Sequence, residues 1–317
     1  MTMLVEMNKK FKGRDFLSLK DYTPEEINYL LDVAGDLKYK QKNGIPHRYL
    51  AGKTLGMIFQ KNSTRTRVSF EVGMYQLGGM ALFLSANDLQ LGRGETIKDT
   101  ALTLSRYLDG IMIRTYSHDE VVELAQHATI PVINGLTDLL HPCQVLADLM
   151  TIQEHKGRLA GLKMTYIGDG NNMAHSLMYG GAKMGMHVVI ACPAGYTPKE
   201  EIVQEATQIA AATGGSITVT HDIQGAAQDA DVFYTDVWAS MGHEKQVEER
   251  KRAFASFQVN TELLKLAKPD VIVLHCLPAH RGEEITDEVI DGPHSVVFDE
   301  AENRLHAQKA IMALLMA

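Results

Sequence analysis

The stretch that decides the fold is Phe59-Gln60-Lys61-Asn62-Ser63-Thr64-Arg65-Thr66-Arg67-Val68-Ser69-Phe70. The residues that lead into it, from Thr54, are mostly apolar and predict a short buried strand. Apolar residues after Thr64 recur at helical spacing until Gly78-Gly79 ends the pattern. Residues 63–67 therefore lie where a strand gives way to the N-terminus of a helix. The first backbone N–H groups of a helix have no partner inside it, and the helix dipole is positive there.

Residues 63–67 predict an anion site, most naturally one for phosphate. Their hydroxyl groups add hydrogen-bond donors, and Arg65 and Arg67 add fixed positive charge on bidentate guanidinium groups. The alternative is an ordinary helix cap, made by Asn62 or Ser63, followed by solvated arginines. Two arginines among three hydroxyls at one turn favour the phosphate interpretation.

The length and composition of the chain limit the classes of protein to which it can belong. A chain of 317 residues suggests two domains, and 45% hydrophobic with 22% charged residues is typical of a soluble globular protein. A net charge of −8 argues against general nucleic-acid binding, and no apolar run is long enough for a membrane span. The first twenty residues carry no secretory or transit pattern. Three widely spaced cysteines indicate reduced thiols and a cytoplasmic location.

Predicted strands alternate with predicted helices, which indicates two doubly wound α/β domains with parallel sheets, joined by crossing helices. We place the domains at residues 1–145 and 146–299, and we expect a final helix, 300–317, to pack back on the first domain. Ligands bind beyond the carboxyl ends of such strands. The predicted strands are Thr54–Phe59, Met80–Leu84, Gly110–Arg114, Pro131–Asn134, Lys163–Gly168, His187–Ala191, Ser216–Thr220, Asp231–Thr235, Val271–His275 and Ser295–Phe298.

Two further candidate sites lie in the first domain. Arg114 ends a buried strand, where it is either a solvated rim residue or a cation that projects into the cleft beside Arg65. The sequence His141-Pro142-Cys143-Gln144 places an imidazole and a carboxamide at a helix start. The alternative there is a proline at the first helical position with a capping histidine. We expect Cys143 itself to be a packing residue.

Gly168-Asp169-Gly170-Asn171-Asn172-Met173-Ala174 follows a strand and opens a helix. The segment resembles a dinucleotide fingerprint, but Met173 replaces the third glycine. About twenty residues further on, where an acid would bind a ribose hydroxyl, the chain has Ile190 and Ala191. A nicotinamide enzyme remains an alternative, which absorbance after incubation with NADH would distinguish.

Two polar segments follow later strands of the second domain. Asp236-Val237-Trp238-Ala239-Ser240-Met241-Gly242 puts a carboxylate at a strand end, where it either caps the backbone or accepts from an ammonium group. His275-Cys276-Leu277-Pro278 offers two zinc-ligand types, but adjacent residues leave a strand on opposite faces and no second pair has metal spacing. A buried structural thiol is the other alternative for Cys276.

These segments together resemble the aspartate/ornithine carbamoyltransferase family, and the resemblance runs from Phe59 to Arg304 with six motifs in order. The motifs are Ser63–Arg67, His141–Gln144, Gly168–Ala174, Asp236–Gly242, His275–Pro278 and Glu300–Arg304. The segment Asp-x-x-x-Ser-Met-Gly is similar to the ornithine-recognition loop in particular. A relative specific for aspartate would place cations around its diacid, and one specific for putrescine would lack Ser-Met-Gly.

The resemblance implies transfer of the carbamoyl group of carbamoyl phosphate to the side-chain amine of L-ornithine, giving L-citrulline and phosphate, with no cofactor and no metal. It assigns four catalytic residues: Arg65, His141, Asp236 and Cys276. It assigns to carbamoyl phosphate Ser63, Thr64, Arg65, Thr66, Gln90, Arg114, His141, Gln144, Cys276, Leu277 and Arg304. It assigns to ornithine Asn172, Asp236, Ser240 and Met241. Both directions of arginine metabolism would use these residues.

The resemblance also implies a homotrimer, or a multiple of trimers, with active sites shared between subunits. The loop Asn87–Gly94 is the candidate donor, with Gln90 reaching a neighbouring phosphate site. We expect Leu89 and Leu91 of that loop to be exposed unless something covers them. A protein of another class, which binds these ligands without turnover, is disfavoured by the intact catalytic set.

Overall fold

The computed structural model describes residues 9–91, 93–239 and 247–317. The chain divides into two compact units. Unit 1 consists of Met1–Ala147 and Glu302–Ala317, and unit 2 of Asp148–Ala301.

Each unit contains one sheet in which every pair of neighbouring strands is parallel. The sheet of unit 1 has the order β2-β1-β3-β4, and the sheet of unit 2 has the order β7-β6-β5-β8-β9. The strands are β1 (Thr54–Phe59), β2 (Met80–Ser85), β3 (Gly110–Arg114), β4 (Val132–Leu136), β5 (Lys163–Ile167), β6 (His187–Ala191), β7 (Ser216–Thr220), β8 (Val232–Thr235) and β9 (Ile272–His275). The prediction of two parallel α/β domains is confirmed.

Helices connect the strands, as parallel pairing requires. They are α1 (Pro24–Lys42), α2 (Thr64–Gln76), α3 (Ile97–Leu104), α4 (His118–His127), α5 (Pro142–Lys156), α6 (Asn172–Lys183), α7 (Glu200–Thr213), α8 (Ile223–Ala227), α9 (Val247–Phe254), α10 (Thr261–Leu264), α11 (Asp287–Ile290) and α12 (Val297–Met316). Two of them, α5 and α12, contribute residues to both units.

The order of the strands predicts where each sheet binds a ligand. In unit 1 the chain adds β2 on one side of β1 and then β3 on the other, so the order reverses between β1 and β3. In unit 2 the same reversal falls between β5 and β8. Crevices at the carboxyl ends of such strand pairs are the usual binding positions of open α/β sheets. The segments after β1 and β5, and the residues that end or follow β3 and β8, are therefore the expected binding positions.

One predicted strand is wrong. Residues 295–298 form no strand, because only Ser295 makes an isolated bridge, to Val273, and α12 already begins at Val297. Asp299 and Glu300 then lie in the first turn of that helix, where acidic side chains interact favourably with the helix dipole.

Apolar residues from strands and covering helices form a core in each unit. One cluster in unit 1 includes Ile58, Ile111 and Leu124, and one in unit 2 includes Phe233, Phe254 and Val273. Leu89 and Leu91 are partly buried against the first of these clusters, so the core of their own unit partly covers them. Among the described residues, no helix combines the length and the apolar character that a membrane span requires.

Candidate active site

The N-terminus of α2 is built by Ser63. Its hydroxyl oxygen accepts from the Thr66 backbone N–H at 3.1 Å and so caps the helix. Thr66 is buried, Arg65 is half-buried, and Thr64 is exposed. Arg67 faces outward, where it pairs with Glu71 at 3.0 Å and lies 3.8 Å over the Phe83 ring. Cap and cationic cluster therefore coexist at this turn, so the cap alternative does not exclude an anion site.

Arg304 of α12 lies in the same unit and is only 2% exposed. Its Nη1 donates to Gln144 Oε1 at 2.6 Å, and its Nη2 donates to Thr66 Oγ1 at 3.2 Å. Three segments that the sequence predicted to act together, namely residues 63–67, residues 141–144 and Arg304, are thus joined by direct hydrogen bonds. The guanidinium plane suits this arrangement, because its donors form a rigid fork.

Two residues that sequence reasoning missed hold this network in place. Gln308 Oε1 accepts from Arg304 Nε at 3.0 Å, and Gln308 Nε2 donates to Ser69 Oγ at 2.7 Å. Ser69 in turn donates to the Arg65 backbone carbonyl at 2.5 Å. Both side chains are buried and lie one helical turn beyond a motif residue, which is the signal that could have identified them.

His141 is 5% exposed at the start of α5. Burial, followed by the charges of Arg304, Arg114 and Arg65, holds the pKa of His141 well below its usual value. The imidazole is therefore neutral at neutral pH, and a neutral imidazole has one N–H donor and one acceptor nitrogen. Cys143 donates to the Asn134 carbonyl at 3.3 Å, and burial raises the pKa of its thiol to about 12, in keeping with the predicted packing role.

Arg114 is 6% exposed at the end of β3, and its backbone carbonyl accepts from Gln60 N–H at 2.9 Å. This bond joins the ends of the two strands that flank the reversal in unit 1. Lys61, in the same turn, is ion-paired with Asp138 and lies 4.2 Å over the Tyr116 ring. With only 6% of its surface exposed, Arg114 is not a solvated rim residue.

Gln90 is hydrogen-bonded within its own loop. The residue is exposed, and its backbone carbonyl accepts from Arg93 N–H at 2.8 Å. The Arg93 guanidinium donates to the Asn87 carbonyl, so it stabilises its own loop.

Where the strand order of unit 2 reverses, between β5 and β8, the polar groups are a carboxylate, an amide and a thiol. Asp236, directly after β8, is 7% exposed, and its Oδ1 accepts from Cys276 Sγ at 3.0 Å and from Val237 N–H at 2.8 Å. Its Oδ2 accepts from Asn171 Nδ2 at 3.1 Å. Burial, followed by the charge of Asp236, holds the pKa of Cys276 well above its usual value, so the sulfur remains a thiol.

A metal interpretation of this corner fits poorly. One potential ligand atom each from Asp236, His275 and Cys276 lie within 4.8 Å of one another. However, His275 Nδ1 accepts from Leu277 N–H at 2.9 Å, and His275 Nε2 pairs with Glu284 Oε1 at 3.0 Å. Both ring nitrogens are therefore already hydrogen-bonded within the unit.

The dinucleotide interpretation also fits poorly. A Cβ atom at Gly170 would lie 2.2 Å from the Pro198 backbone nitrogen, and Gly170 N–H donates to the Tyr196 carbonyl at 2.8 Å. The close approach that this glycine permits is to the chain's own backbone, whereas the fingerprint uses it to admit a pyrophosphate.

The remaining predicted residues belong to unit 2. Asn172 is the first residue of α6 and is half-buried, and Leu277 is half-buried with a positive φ of 55°. Ser240 and Met241 lie outside the described residues. Arg250, beyond them, donates from Nη1 to Asp169 Oδ2 at 2.6 Å and to the Trp238 carbonyl at 2.8 Å, which sequence reasoning missed.

Comparison with known proteins gives matches over almost the whole chain. Residues 14–154 match the carbamoyl-P binding domain of aspartate/ornithine carbamoyltransferase, and residues 160–315 match its Asp/Orn binding domain. An ornithine carbamoyltransferase of Oceanobacillus iheyensis is 64% identical over 309 residues, covering 98% of this chain and 96% of the relative. An anabolic ornithine carbamoyltransferase of Pyrococcus furiosus is 62% identical over 304 residues, covering 96% of each.

A solved ornithine carbamoyltransferase from Pyrococcus furiosus has a TM-score of 0.94 and 62% identity, and the match covers 96% of this chain and 98% of that one. Sequence and fold therefore agree along both units. The chain belongs to the aspartate/ornithine carbamoyltransferase family.

Proposed function

We propose that the protein transfers the carbamoyl group of carbamoyl phosphate to the side-chain amine of L-ornithine, giving L-citrulline and phosphate. The relatives named ornithine carbamoyltransferase support this reaction. Unit 1 binds carbamoyl phosphate, and unit 2 binds ornithine.

In unit 1, cations and hydroxyls surround the donor substrate. Ser63, Thr64, Arg65, Thr66 and Arg114 neutralise the phosphate, which both binds the substrate and makes phosphate a better leaving group. Arg304, with its buried links to Gln144 and Thr66, polarises the carbamoyl carbonyl together with His141. Donors directed at that oxygen stabilise the charge that develops when the amine attacks. In the proposed mechanism the neutral amine attacks the carbamoyl carbon, the new N–C bond forms, the C–O bond to phosphate breaks, and the proton that the nitrogen then loses is taken up by the departing phosphate.

In unit 2, anionic and neutral groups receive the acceptor. The Asp236 carboxylate attracts the ammonium group of ornithine, and Asn172 with the Ser240-Met241 segment holds the α-end of the amino acid. The attacking amine must be neutral, although a primary alkylamine has an unperturbed pKa near 10.4, as lysine does. The Asp236 carboxylate and the Cys276 thiol would orient the amine, and the carboxylate is the group that can accept the proton that the ammonium must lose before attack.

The observation that carries the assignment is the Asp236–Cys276 pair. Asp236 is 7% exposed, and its carboxylate accepts from Cys276 Sγ at 3.0 Å. The region of unit 2 that would receive the acceptor amine is therefore anionic. An anionic corner suits a cationic amino acid such as ornithine and repels a diacid such as aspartate.

Steady-state rates with three acceptors test the assignment. We expect citrulline formation from L-ornithine and little product from L-aspartate or putrescine, since aspartate is repelled by Asp236 and putrescine has no α-carboxylate. The measurement is a colorimetric assay of carbamoylated product at fixed carbamoyl phosphate. A kcat/KM for putrescine or aspartate that exceeds the value for ornithine would contradict the proposal.

The proposed assembly is a homotrimer, supported by exposed apolar side chains in unit 1. Tyr75, Val68, Met80 and Phe83 are 81%, 50%, 59% and 38% exposed, and the last two lie on the edge strand β2. Exposed apolar side chains next to an open sheet edge are typical of a surface that another chain covers.

The proposed location is the cytoplasm, on the basis of cysteine chemistry. All three cysteines are free, and Cys143 and Cys192 are buried. The proposed direction is arginine synthesis, which is supported by the name of the anabolic relative from Pyrococcus furiosus.

A further inference from the structure

The side-chain amide of Asn171 makes two kinds of hydrogen bond, one through its oxygen and one through its nitrogen. Its Oδ1 accepts from Met173 N–H at 2.9 Å, from Ala174 N–H at 3.4 Å and from the Tyr166 hydroxyl at 3.3 Å. The oxygen end therefore caps α6. The nitrogen end donates to Asp236 Oδ2 at 3.1 Å, across 65 residues of sequence.

The direction of this amide is fixed by its partners. If the amide were rotated by half a turn, Nδ2 would face two backbone N–H donors and Oδ1 would face a carboxylate oxygen, so three of its four contacts would become repulsive. Tyr166, whose hydroxyl lies 3.3 Å from Oδ1, is fully buried. Asn171 thus presents an N–H donor to Asp236 at a position determined by the helix N-terminus.

Helix capping alone does not explain an asparagine here. Serine, aspartate and asparagine cap helices about equally well, and only asparagine among them adds an N–H donor at the end of the side chain. Asn260 shows the simpler case in the same unit, because its Oδ1 accepts from Leu263 N–H at 3.0 Å and so caps α10.

The donor has a specific effect on the carboxylate. Cys276 and Val237 N–H both contact Oδ1, so Asn171 supplies the contact to Oδ2. Donors on both oxygens fix the carboxylate plane and favour its charged form. We propose that Asn171 is a positioning residue that aims the Asp236 carboxylate at the acceptor amine. This inference rests on the proposed function.

Two substitutions separate positioning from capping. Asn171→Asp has nearly the same shape and keeps a capping oxygen, but it replaces the donor with a second carboxylate beside Asp236. Asn171→Ser keeps a capping hydroxyl and removes the donor. Asn260→Asp and Asn260→Ser make the same chemical changes at the cap of α10 and serve as matched controls.

The expected result is a change in acceptor kinetics without loss of the fold. For Asn171→Ser we expect kcat/KM for ornithine to fall about tenfold, the size of losing one hydrogen bond to a charged group. For Asn171→Asp we expect a larger fall, and we expect the acidic limb of the pH–rate profile to move to higher pH, because two adjacent carboxyl groups share a proton. KM for carbamoyl phosphate should stay close to wild type in both variants, and Tm should stay close to wild type in Asn171→Ser. Asn171→Asp should have a lower Tm at neutral pH, because its carboxylate repels that of Asp236. The controls should keep wild-type kinetics.

The outcomes are distinguishable. Wild-type activity with ornithine is measured first, and a wild type that makes no citrulline overturns the proposed function and this inference with it. An active wild type whose two Asn171 variants fold and keep wild-type ornithine kinetics and pH profile overturns the inference alone. If Asn171→Asp does not fold, Asn171→Ser decides. A loss of Tm in Asn171→Ser with no change in the ornithine parameters would show that Asn171 is only a cap.

Discussion

Arg304 contacts three other side chains through three different nitrogen atoms. Nε donates to Gln308, Nη1 to Gln144 and Nη2 to Thr66, and Arg304 itself is 2% exposed. A lysine at this position would keep the charge, but its single nitrogen lies on a flexible stem and cannot reproduce a planar fork. At the scale of one residue, geometry rather than charge is therefore the property to test.

We predict that Arg304→Lys lowers kcat/KM for carbamoyl phosphate by about 100-fold or more, since buried donors to a developing oxyanion contribute roughly 3 kcal/mol. We also expect a lower Tm, because Gln144 and Gln308 lose buried hydrogen bonds. Steady-state kinetics and thermal unfolding measure the two effects. Arg67→Lys is the matched control, because Arg67 pairs with Glu71 on the surface, and its kinetics should change little. Near-normal kinetics in folded Arg304→Lys would contradict the assigned role.

Single residues also show what a sequence conveys and what it does not. Asn172 was assigned to the substrate because the motif resembles one that holds a carboxylate, whereas the role of its neighbour Asn171 was missed. An asparagine before a helix is a recognisable cap. Its contact with Asp236, in contrast, is made across 65 residues and depends on β5 and β8 being neighbours in the sheet. Such a contact becomes visible only when the topology is known.

The start of α2 is the element in which capping and anion binding coincide. Ser63 caps the helix through Thr66 N–H, and in the proposed function the same turn binds phosphate. Aspartate caps a helix as well as serine does, and its negative charge interacts favourably with the positive N-terminal end of the helix dipole. An aspartate at this position would also place a negative charge where the phosphate must enter. One substitution can thus leave the helix intact while it blocks the ligand.

We predict that Ser63→Asp keeps or slightly raises Tm and raises KM for carbamoyl phosphate at least about tenfold, as expected for a like charge in a partly buried site. The matched control is Thr96→Asp at the cap of α3, where the Thr96 side chain accepts from Asp99 N–H at 3.0 Å. This substitution should leave KM for carbamoyl phosphate unchanged. Thermal unfolding and carbamoyl phosphate titrations measure both quantities. An unchanged KM in Ser63→Asp would mean that this turn is a helix cap and nothing more.

Elements with a strong period and a clear end were predictable from the sequence. β3, β6 and β7 begin and end at the residues predicted for them. The failure at Ser295–Phe298 has a physical cause, because Val296 and Val297 favour a strand by propensity while Asp299 and Glu300 mark the first turn of a helix. Only Ser295 pairs, with Val273 of β9, and Val297 and Phe298 belong to α12.

The assembly belongs to the scale of the whole molecule. In the proposed trimer, Gln90 of one chain reaches the phosphate site of the next. Since Arg93 stabilises its own loop through Asn87, the loop variant should change Gln90 alone. The test combines Arg65→Ala with Gln90→Ala by unfolding the two variants, mixing them and refolding them together.

We predict activity in the mixture well above the sum of the parents. With random mixing, about a quarter of the shared sites receive an intact Arg65 from one chain and an intact Gln90 from another. Refolding Arg65→Ala with Arg114→Ala is the control, because both residues act on His141 within one unit 1 and mixing restores neither. Native mass spectrometry verifies that mixed trimers are present. If they are present and activity stays at the parental sum, each chain builds its own site.

Unit 1 is discontinuous in the chain, and this has a consequence for how the protein is made. Residues 302–317 belong to unit 1 but follow all of unit 2 in the sequence. A ribosome therefore completes Asp148–Ala301, a continuous stretch, before it adds Arg304. Domains generally fold in the order in which they are synthesised. Here the unit that begins first is finished last, so the nascent chain cannot form the Arg304–Gln144 and Arg304–Thr66 bonds until translation has passed unit 2 and reached Arg304.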